Sequence, residues 1–390
     1  MKIVDVSGFY AEAGGGVRRY VEAKFAAAAA AGHELTVIAP GAESRAEPRP
    51  GGRVVWVKSP PMPFDPRYRR FAEAREAWAI MDGAAPDVVE GSSPWRGGTI
   101  AAMWPGSAAR ALVFHQDVVA GYAHTAFDRW LGRRAIDALA APWWARVRRL
   151  SARFDVTIAG GEWLAARLGA HGVRNAVALP FGVEAGRFDP ARRDETLRSE
   201  LLARCGAPPG ATLLLAMSRF HPEKRLATVI EAVARARRTR PDLALAVIGD
   251  GLARRSVERA AAAAGRVALI GEIDDRERLA AILASGDLFV HGSGAETYGL
   301  AVAEAIASGL TVVVPDSGGA ADLARRGRSV TYRTGDPADG ARAILAAVNG
   351  EAERPAALPP GSMDDHFTAL FALYEDLVDR RARRWSRPAR

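Results

Sequence analysis

The chain has 390 residues, roughly two to three domains' worth, and its 49% hydrophobic and 25% charged content is that of a globular protein. No apolar run reaches the roughly 18–20 residues that cross a bilayer; a lone cysteine, Cys205, excludes an internal disulfide and a cysteine-rich zinc site; and seven scattered histidines lack the H-E-x-x-H spacing of a zinc hydrolase. A net charge of +8 and a pI near 10.0 favour anionic partners such as nucleic acid, anionic lipid or phosphorylated ligands.

The opening "MKIVDVSGFY" enters a strand-like run with no charged-then-apolar leader pattern, so a cytoplasmic location is expected. Strand-like runs follow in chain order: "ELTVIAP", "RVVWVKS", "PDVVEGS", "ALVFHQD", "DVTIAG" and "AVALP" in the first half, then "ATLLLAMS", "LALAVIGD", "VALIG", "DLFVHGS", "TVVVPDS" and "SVTYR". They are almost wholly apolar and alternate with helical patterns. That is the signature of parallel sheets covered on both faces by helices. The Pro- and Gly-punctuated stretch "LPFGVEAGRFDPARRDE" separates the halves. The expected architecture is α/β, with two Rossmann-like, doubly wound domains facing a central cleft. Residues 1–183 form the first domain and 184–362 the second. Residues 363–390 carry a late helix, expected over Met363–Arg380, and a basic tail.

In such sheets ligands bind beyond the carboxyl ends of the strands, so the chemistry should lie in the loops there. After the first strand, Gly14, Gly15 and Gly16 lead into a helix, and bare backbone at such a point can cradle phosphate. The spacing is not G-x-G-x-x-G, and a plain turn remains open. "ALVFHQD" ends with His115 and Asp117, a pair suited to a sugar contact or a proton relay. "MSRFHPEKRL" places Arg219 and Lys224, with Arg225 beside them, before a helix, where cations suit a diphosphate. "GAETYGLAVAEAIASG" places Glu296 at a strand end and Glu304 on a helix expected over Tyr298–Ser308, N-capped by Thr297 and closed by Gly309. Eight helical residues span about 12 Å. Carboxylates that share one glycosidic bond sit about 5–9.5 Å apart. The spacing therefore favours two acids gripping different parts of one long ligand. It leaves open two unrelated surface acids.

Taken in order, "GGGVRRY", "FHQD", "PFGVEAGRF", "SRFHPEKR", "GDG", "ETYGLAVAE" with "AIASG", and "PDSGGAADL" resemble family 4 of the retaining glycosyltransferases, which have the GT-B fold. The resemblance covers most of the chain and implies that the first domain, 1–183, binds the acceptor and the second, 184–362, the nucleotide sugar. It implies that Glu296 contacts donor-sugar hydroxyls, that Glu304 holds the nucleotide ribose, and that Arg219 and Lys224 bind the diphosphate. It further implies that Tyr298, Gly299 and Leu300 line the donor pocket, that Gly15 and Gly16 reach it from the first domain, that His115 meets the transferred sugar, and that the late helix returns to the first domain. It implies a nucleoside diphosphate sugar as co-substrate, with no metal and no cofactor. "GGVRRYVEAK" and "FHQD" point to a bacterial, lipid-acceptor mannosyltransferase-like subgroup in envelope biosynthesis. Two positions depart from the family: the linker reads "PFGVE" where asparagine and aspartate are common, and Arg225 stands where glycine is frequent.

The stretches 66–81 and 129–150 mix arginines with Trp, Tyr and Phe at helical spacing. Helices of that kind lie in a membrane interface or pack an aromatic stripe on a core. With a lipid or glycan acceptor in view, peripheral association with the inner membrane is expected. A sugar-nucleotide epimerase of the same fold is the alternative. A nucleic-acid-binding protein is a weaker one, because no recognised binding motif is present.

Overall fold

The computed structural model describes residues 1–12, 16–63, 68–128, 130–353 and 360–385. The chain forms two compact units: Met1–Gln116 with Asp137–Pro180 and Asp364–Arg390, and Asp117–Ile136 with Phe181–Met363. The stretch Asp117–Ile136 thus belongs with the second unit, although the sequence boundary placed it in the first.

The first unit holds β1 (Lys2–Ser7), β2 (Glu34–Gly41), β3 (Arg45–Arg49), β4 (Gly52–Lys58), β5 (Val88–Ser92), β6 (Ala109–Phe114), β7 (Val156–Ala159) and β8 (Ala176–Ala178). Their order across the sheet is β3-β4-β2-β1-β5-β6-β7-β8. All neighbours are parallel except β3 and β4. The strands β5 and β7 are buried along their whole length, as helices on both faces require. The edge strand β3, "RAEPR", has no apolar alternation and contains Pro48, so its sequence carries no strand signal. Charge and proline are what a sheet edge tolerates.

The second unit holds β9 (Thr212–Met217), β10 (Leu243–Ile248), β11 (Val267–Gly271), β12 (Leu288–Val290), β13 (Thr311–Pro315) and β14 (Ser329–Tyr332). Its wholly parallel order is β11-β10-β9-β12-β13-β14. One face packs the helices Leu226–Ala236 and Pro337–Val348 through Val229, Ile230, Val233, Ala343 and Ile344. Each sheet has one switch point among its parallel strands, between β1 and β5 and between β9 and β12. Helices leave on opposite faces at such a point and a crevice opens at the strands' carboxyl ends.

Four expectations need correction. The helix after β12 is Leu300–Ala307 and its N-cap is Gly299, not Thr297. Gly299 has φ +100°, a conformation that a Cβ disfavours. In 66–81, helix begins only at Arg75 and continues to Ala84, and residues 64–67 lie outside the described set. In 129–150 there are two helices, Arg133–Leu139 and Ala141–Ser151. Trp144 on the second is buried, stacked on His171 with ring centroids 3.8 Å apart. Trp130, ahead of both, is 65% exposed. The late helix runs past Arg380 to Trp385.

The first unit buries a charge cluster beneath its crevice. Lys24 on the helix Gly16–Ala30, Asp5 on β1 and Glu90 on β5 are all fully buried. The Lys24 ammonium donates to Asp5 Oδ2 at 3.3 Å and to Glu90 Oε2. Ser92 donates to Asp5 Oδ1 at 2.8 Å, and the Tyr374 hydroxyl of the late helix donates to Glu90. Burial, reinforced by the Glu90 carboxylate, pushes Asp5 up to about 7. Burial acts the same way on Glu90, but the Lys24 ammonium outweighs it and holds Glu90 below the usual carboxylate range. The stable arrangement is Lys24 and Glu90 charged, with Asp5 holding a proton until near neutrality.

A raised carboxyl binds its proton more tightly in the folded than in the unfolded chain. Stability must therefore fall as pH rises between about 4 and 7, from the ordinary to the shifted value. Replacing Asp5 with asparagine removes that slope. Across this window the melting temperature of the native chain should fall relative to that of Asp5→Asn. Parallel melting curves would show that Asp5 carries no such proton.

Candidate active site

The second unit's crevice is built by the loops after β9 and β12. After β9 the backbone hydrogen-bonds to the neighbouring "GDG" loop, with Phe220 N donating to Asp250 O at 2.7 Å. A 3-10 turn, Pro222–Lys224, then feeds the helix Leu226–Ala236. After β12 the chain passes so near this turn that a Cβ on Gly292 would lie 2.5 Å from the Lys224 carbonyl oxygen. That contact sets Lys224 against Glu296. The Lys224 Nζ donates to Glu296 Oε1 at 2.7 Å, and His291 Nε2 lies 3.1 Å from the same oxygen. The His291 carbonyl accepts from the Tyr332 hydroxyl at 2.6 Å, and Gly319 N donates to the Glu296 carbonyl at 2.7 Å.

Burial works against the charge on Glu296, yet the Lys224 ammonium and His291 overcome it, so Glu296 lies far below the usual carboxylate range. It is an ionised acceptor throughout the neutral range, suited to receiving hydroxyl hydrogen bonds. Tyr298 is buried, its ring centroid 5.7 Å from that of Phe181. Gly299 and Leu300 open the eight-residue helix, where free N–H groups and the helix dipole favour negative charge. Arg219 is exposed and has no acidic partner among the described residues.

Glu304 sits down that helix, 6% exposed. Its Oε1 accepts from Arg276 Nη2 at 2.6 Å, and Arg276 also donates to Glu184 Oε1 at 3.0 Å. The Arg276 guanidinium lies 4.9 Å from the Phe188 ring centroid, a cation–π contact. Each buried acid thus has its own cation: Lys224 for Glu296 and Arg276 for Glu304. Sequence reasoning missed Arg276, His291 and Glu184. Arg276 begins the helix after β11, so the strand-end rule that found Arg219 would have reached it. Glu184 stands in the linker that the sequence had marked as departing from the family.

In the first unit His115 follows β6. Its ring centroid is 5.4 Å from that of Tyr20. Burial is the largest influence on it and lowers it to about 4, with the Glu90 carboxylate opposing and Lys24 reinforcing, so it is neutral at physiological pH. Gly16 is the exposed first residue of its helix. Gly14 and Gly15 lie outside the described residues. Among the described residues no group of three or more His, Cys, Asp or Glu could hold a metal ion, and no helix is long and apolar enough to cross a membrane.

The family model for group 1 glycosyl transferases matches residues 198–358, and that for glycosyltransferase family 4 matches residues 14–187. A GDP-mannose-dependent alpha-mannosyltransferase of Mycolicibacterium smegmatis is 33% identical over 299 residues, 75% of this chain and 73% of the relative. A GDP-mannose-dependent alpha-(1-6)-phosphatidylinositol dimannoside mannosyltransferase of Mycobacterium tuberculosis is 30% identical over 319 residues, 80% of this chain and 79% of the relative. Sucrose-phosphate synthase from Thermosynechococcus elongatus shares the fold, with a TM-score of 0.72, 18% identity and 98% of both chains covered. So does WaaG, a glycosyltransferase involved in lipopolysaccharide biosynthesis, with a TM-score of 0.61, 16% identity and 97% of this chain and 99% of that one covered. The architecture is that of the GT-B fold.

Replacing Arg276 with alanine leaves Glu304 buried without its cation. Urea denaturation of Arg276→Ala should show a loss of about 2 kcal/mol, with part of it recovered in Arg276→Lys. An unchanged midpoint would show that Glu304 is held by other means.

Proposed function

The chain belongs to glycosyltransferase family 4, and from that premise we propose that it transfers mannose from GDP-mannose to a lipid-linked acceptor with retention at the anomeric carbon. It is a glycosyltransferase that uses a nucleotide sugar. Mannose and the guanine nucleotide are inferred from the two mycobacterial relatives. The acceptor is inferred from the second, whose name specifies a phosphatidylinositol dimannoside.

One observation carries the reading: two buried carboxylates, each matched by a cation, stand at the switch point of the second sheet. A nucleoside diphosphate sugar has hydroxyl clusters at both ends and a doubly charged centre. Glu296 receives hydroxyls of the sugar, and Glu304, steadied by Arg276, receives those of the ribose. Arg219 and Lys224 neutralise the diphosphate, helped by the N–H groups of Gly299 and Leu300 ahead of the helix Leu300–Ala307. The family resemblance also implies sugar contacts by His115, Gly15 and Gly16.

In the transfer, the bond from the anomeric carbon to the β-phosphate oxygen breaks. The acceptor oxygen bonds the carbon on the same face, and its proton passes to the departing phosphate oxygen. Charge accumulates on that oxygen, and Arg219 and Lys224 stabilise it there. This is the work a divalent metal does in other transferases, so the reaction proceeds without metal or cofactor. A front-face displacement, which the family resemblance implies, needs no covalent enzyme intermediate. Basic and aromatic residues of 66–81 and 129–150 bring the chain to the cytoplasmic face of an anionic membrane.

A thermal-shift series with GDP-, UDP- and ADP-sugars should give its largest rise with GDP-mannose. Glu296→Ala should stay folded, somewhat less stable because Lys224 loses its anion, and lose about a hundredfold or more in transfer rate. Full turnover in that variant, or indifference to every sugar nucleotide, would overturn the assignment.

A further inference from the structure

A cleft of about 750 Å³ opens on the second unit and is lined by Asp128, Arg133, Arg225, Asp316, Arg333 and Asp336, among others. It adjoins the donor loops. Arg225 follows Lys224 directly. Asp316 Oδ1 accepts from the Thr334 hydroxyl at 2.8 Å, and its neighbour Ser317 donates to the Gly294 carbonyl at 3.1 Å, two residues before Glu296.

The cleft is a built feature. Arg225 has φ +50° and ψ +36°, the left-handed region that a side chain disfavours, at the position where glycine is frequent in the family. Backbone held in such a conformation concentrates where function needs it. Here it aims the guanidinium at Asp128, with Nη2 3.0 Å from Oδ2 and both side chains under a fifth exposed. A second accommodation sits opposite. Gly335 has φ +82°, and a Cβ there would come within 2.6 Å of Arg225 Nη1. The pair ties the stretch Asp117–Ile136 into the second unit and so forms one wall.

The charges are unevenly committed. Arg225 is engaged by Asp128, and Arg333 by Asp336 at 2.8 Å. Arg133 is half-buried in the wall and has no acidic partner among the described residues. The cleft therefore offers one uncommitted guanidinium beside several carboxylate oxygens. The guanidinium suits a phosphate, and the carboxylates suit hydroxyls. The same stretch bears Tyr122, Phe127, Trp130 and Leu131, 42–65% exposed. Aromatic rings flanked by arginine are what a bilayer interface takes up.

We propose that this cleft receives the phosphate-bearing, hydroxyl-rich headgroup of the lipid acceptor. The phosphate rests on Arg133, hydroxyls rest on Asp316 and Asp336, and Phe127 and Trp130 enter the membrane interface. Arg225 is a positioning residue that holds the wall through Asp128. The inference rests on the transferase reading above and specifies where its acceptor docks.

The test uses the full chain with vesicles of phosphatidylcholine alone, or mixed with phosphatidylglycerol or with phosphatidic acid at matched charge, while GDP binding is measured in parallel. Phosphatidylglycerol vesicles should bind best. Arg133→Ala should weaken that binding about tenfold or more, Arg133→Lys should restore part of it, and Trp130→Ala should weaken binding to every vesicle. GDP affinity should stay unchanged in all three variants. Equal binding of phosphatidic acid and phosphatidylglycerol would overturn the hydroxyl contacts. Full binding by Arg133→Ala would overturn the phosphate site. Binding of free glycerol 3-phosphate without vesicle binding would overturn the lipid source. GDP binding with no Arg133-dependent vesicle binding sinks this inference alone, whereas absence of GDP binding sinks the transferase assignment itself.

Discussion

A parallel sheet cannot have all its crossover helices on one face once strands have been added to both sides of the first. The crossovers share one hand, so adding strands to the left and to the right sends helices to opposite faces. In the second unit this divergence falls between β9 and β12. Donor recognition depends on it. The loop after β9 supplies Arg219 and Lys224, and the loop after β12 supplies His291 and Glu296. They meet because the two strands are neighbours while their helices part. The Lys224–Glu296 pair is then a product of topology: the residues are 72 positions apart, yet one strand spacing separates the strands that carry them.

The acids at this crevice would be untenable without partners. Burial disfavours an ionised carboxylate, and only a cation or several donors restores it. Glu296 has Lys224 and His291, and Glu304 has Arg276. Such pairing adds little net stability once desolvation is counted. What it supplies is orientation: each carboxylate is held in place before any ligand arrives, and Glu296 is kept ionised. The first unit uses the same chemistry differently. There Lys24 has two acids and can neutralise only one, and burial together with the Glu90 charge displaces the titration of Asp5.

The sheet cores were legible because β9, β10 and β13 are uninterrupted apolar runs, and a doubly covered parallel strand admits little else. The edge strand β3 was not, since its residues answer to solvent rather than to a core. The site residues fell into two groups in the same way. Arg219, Lys224, Glu296 and Glu304 lie in motifs whose local spacing is informative. Arg276 meets Glu304 across 28 positions of chain and Glu184 across 92, and no local pattern encodes either pairing. Thr297 looked like a helix cap by residue type, but the close turn before Leu300 requires a positive φ and Gly299 takes the role. Asp128 gave no signal of its own. Its partner Arg225 did, by standing where glycine is usual.

The Tyr374–Glu90 hydrogen bond closes a loop of 284 residues. During synthesis the chain emerges from the ribosome N-terminus first, and domains generally fold as they appear. The first unit is an exception to that order. Its sheet is translated early, but the helix that covers Glu90 comes last, after the whole second unit has been made. Until then a buried carboxylate lacks one of its donors and an apolar face that will receive Phe367, Leu370 and Phe371 stands open to water. The half of the protein that is made first is therefore the half that matures last, and the nascent chain is most exposed to chaperones and proteases over that interval.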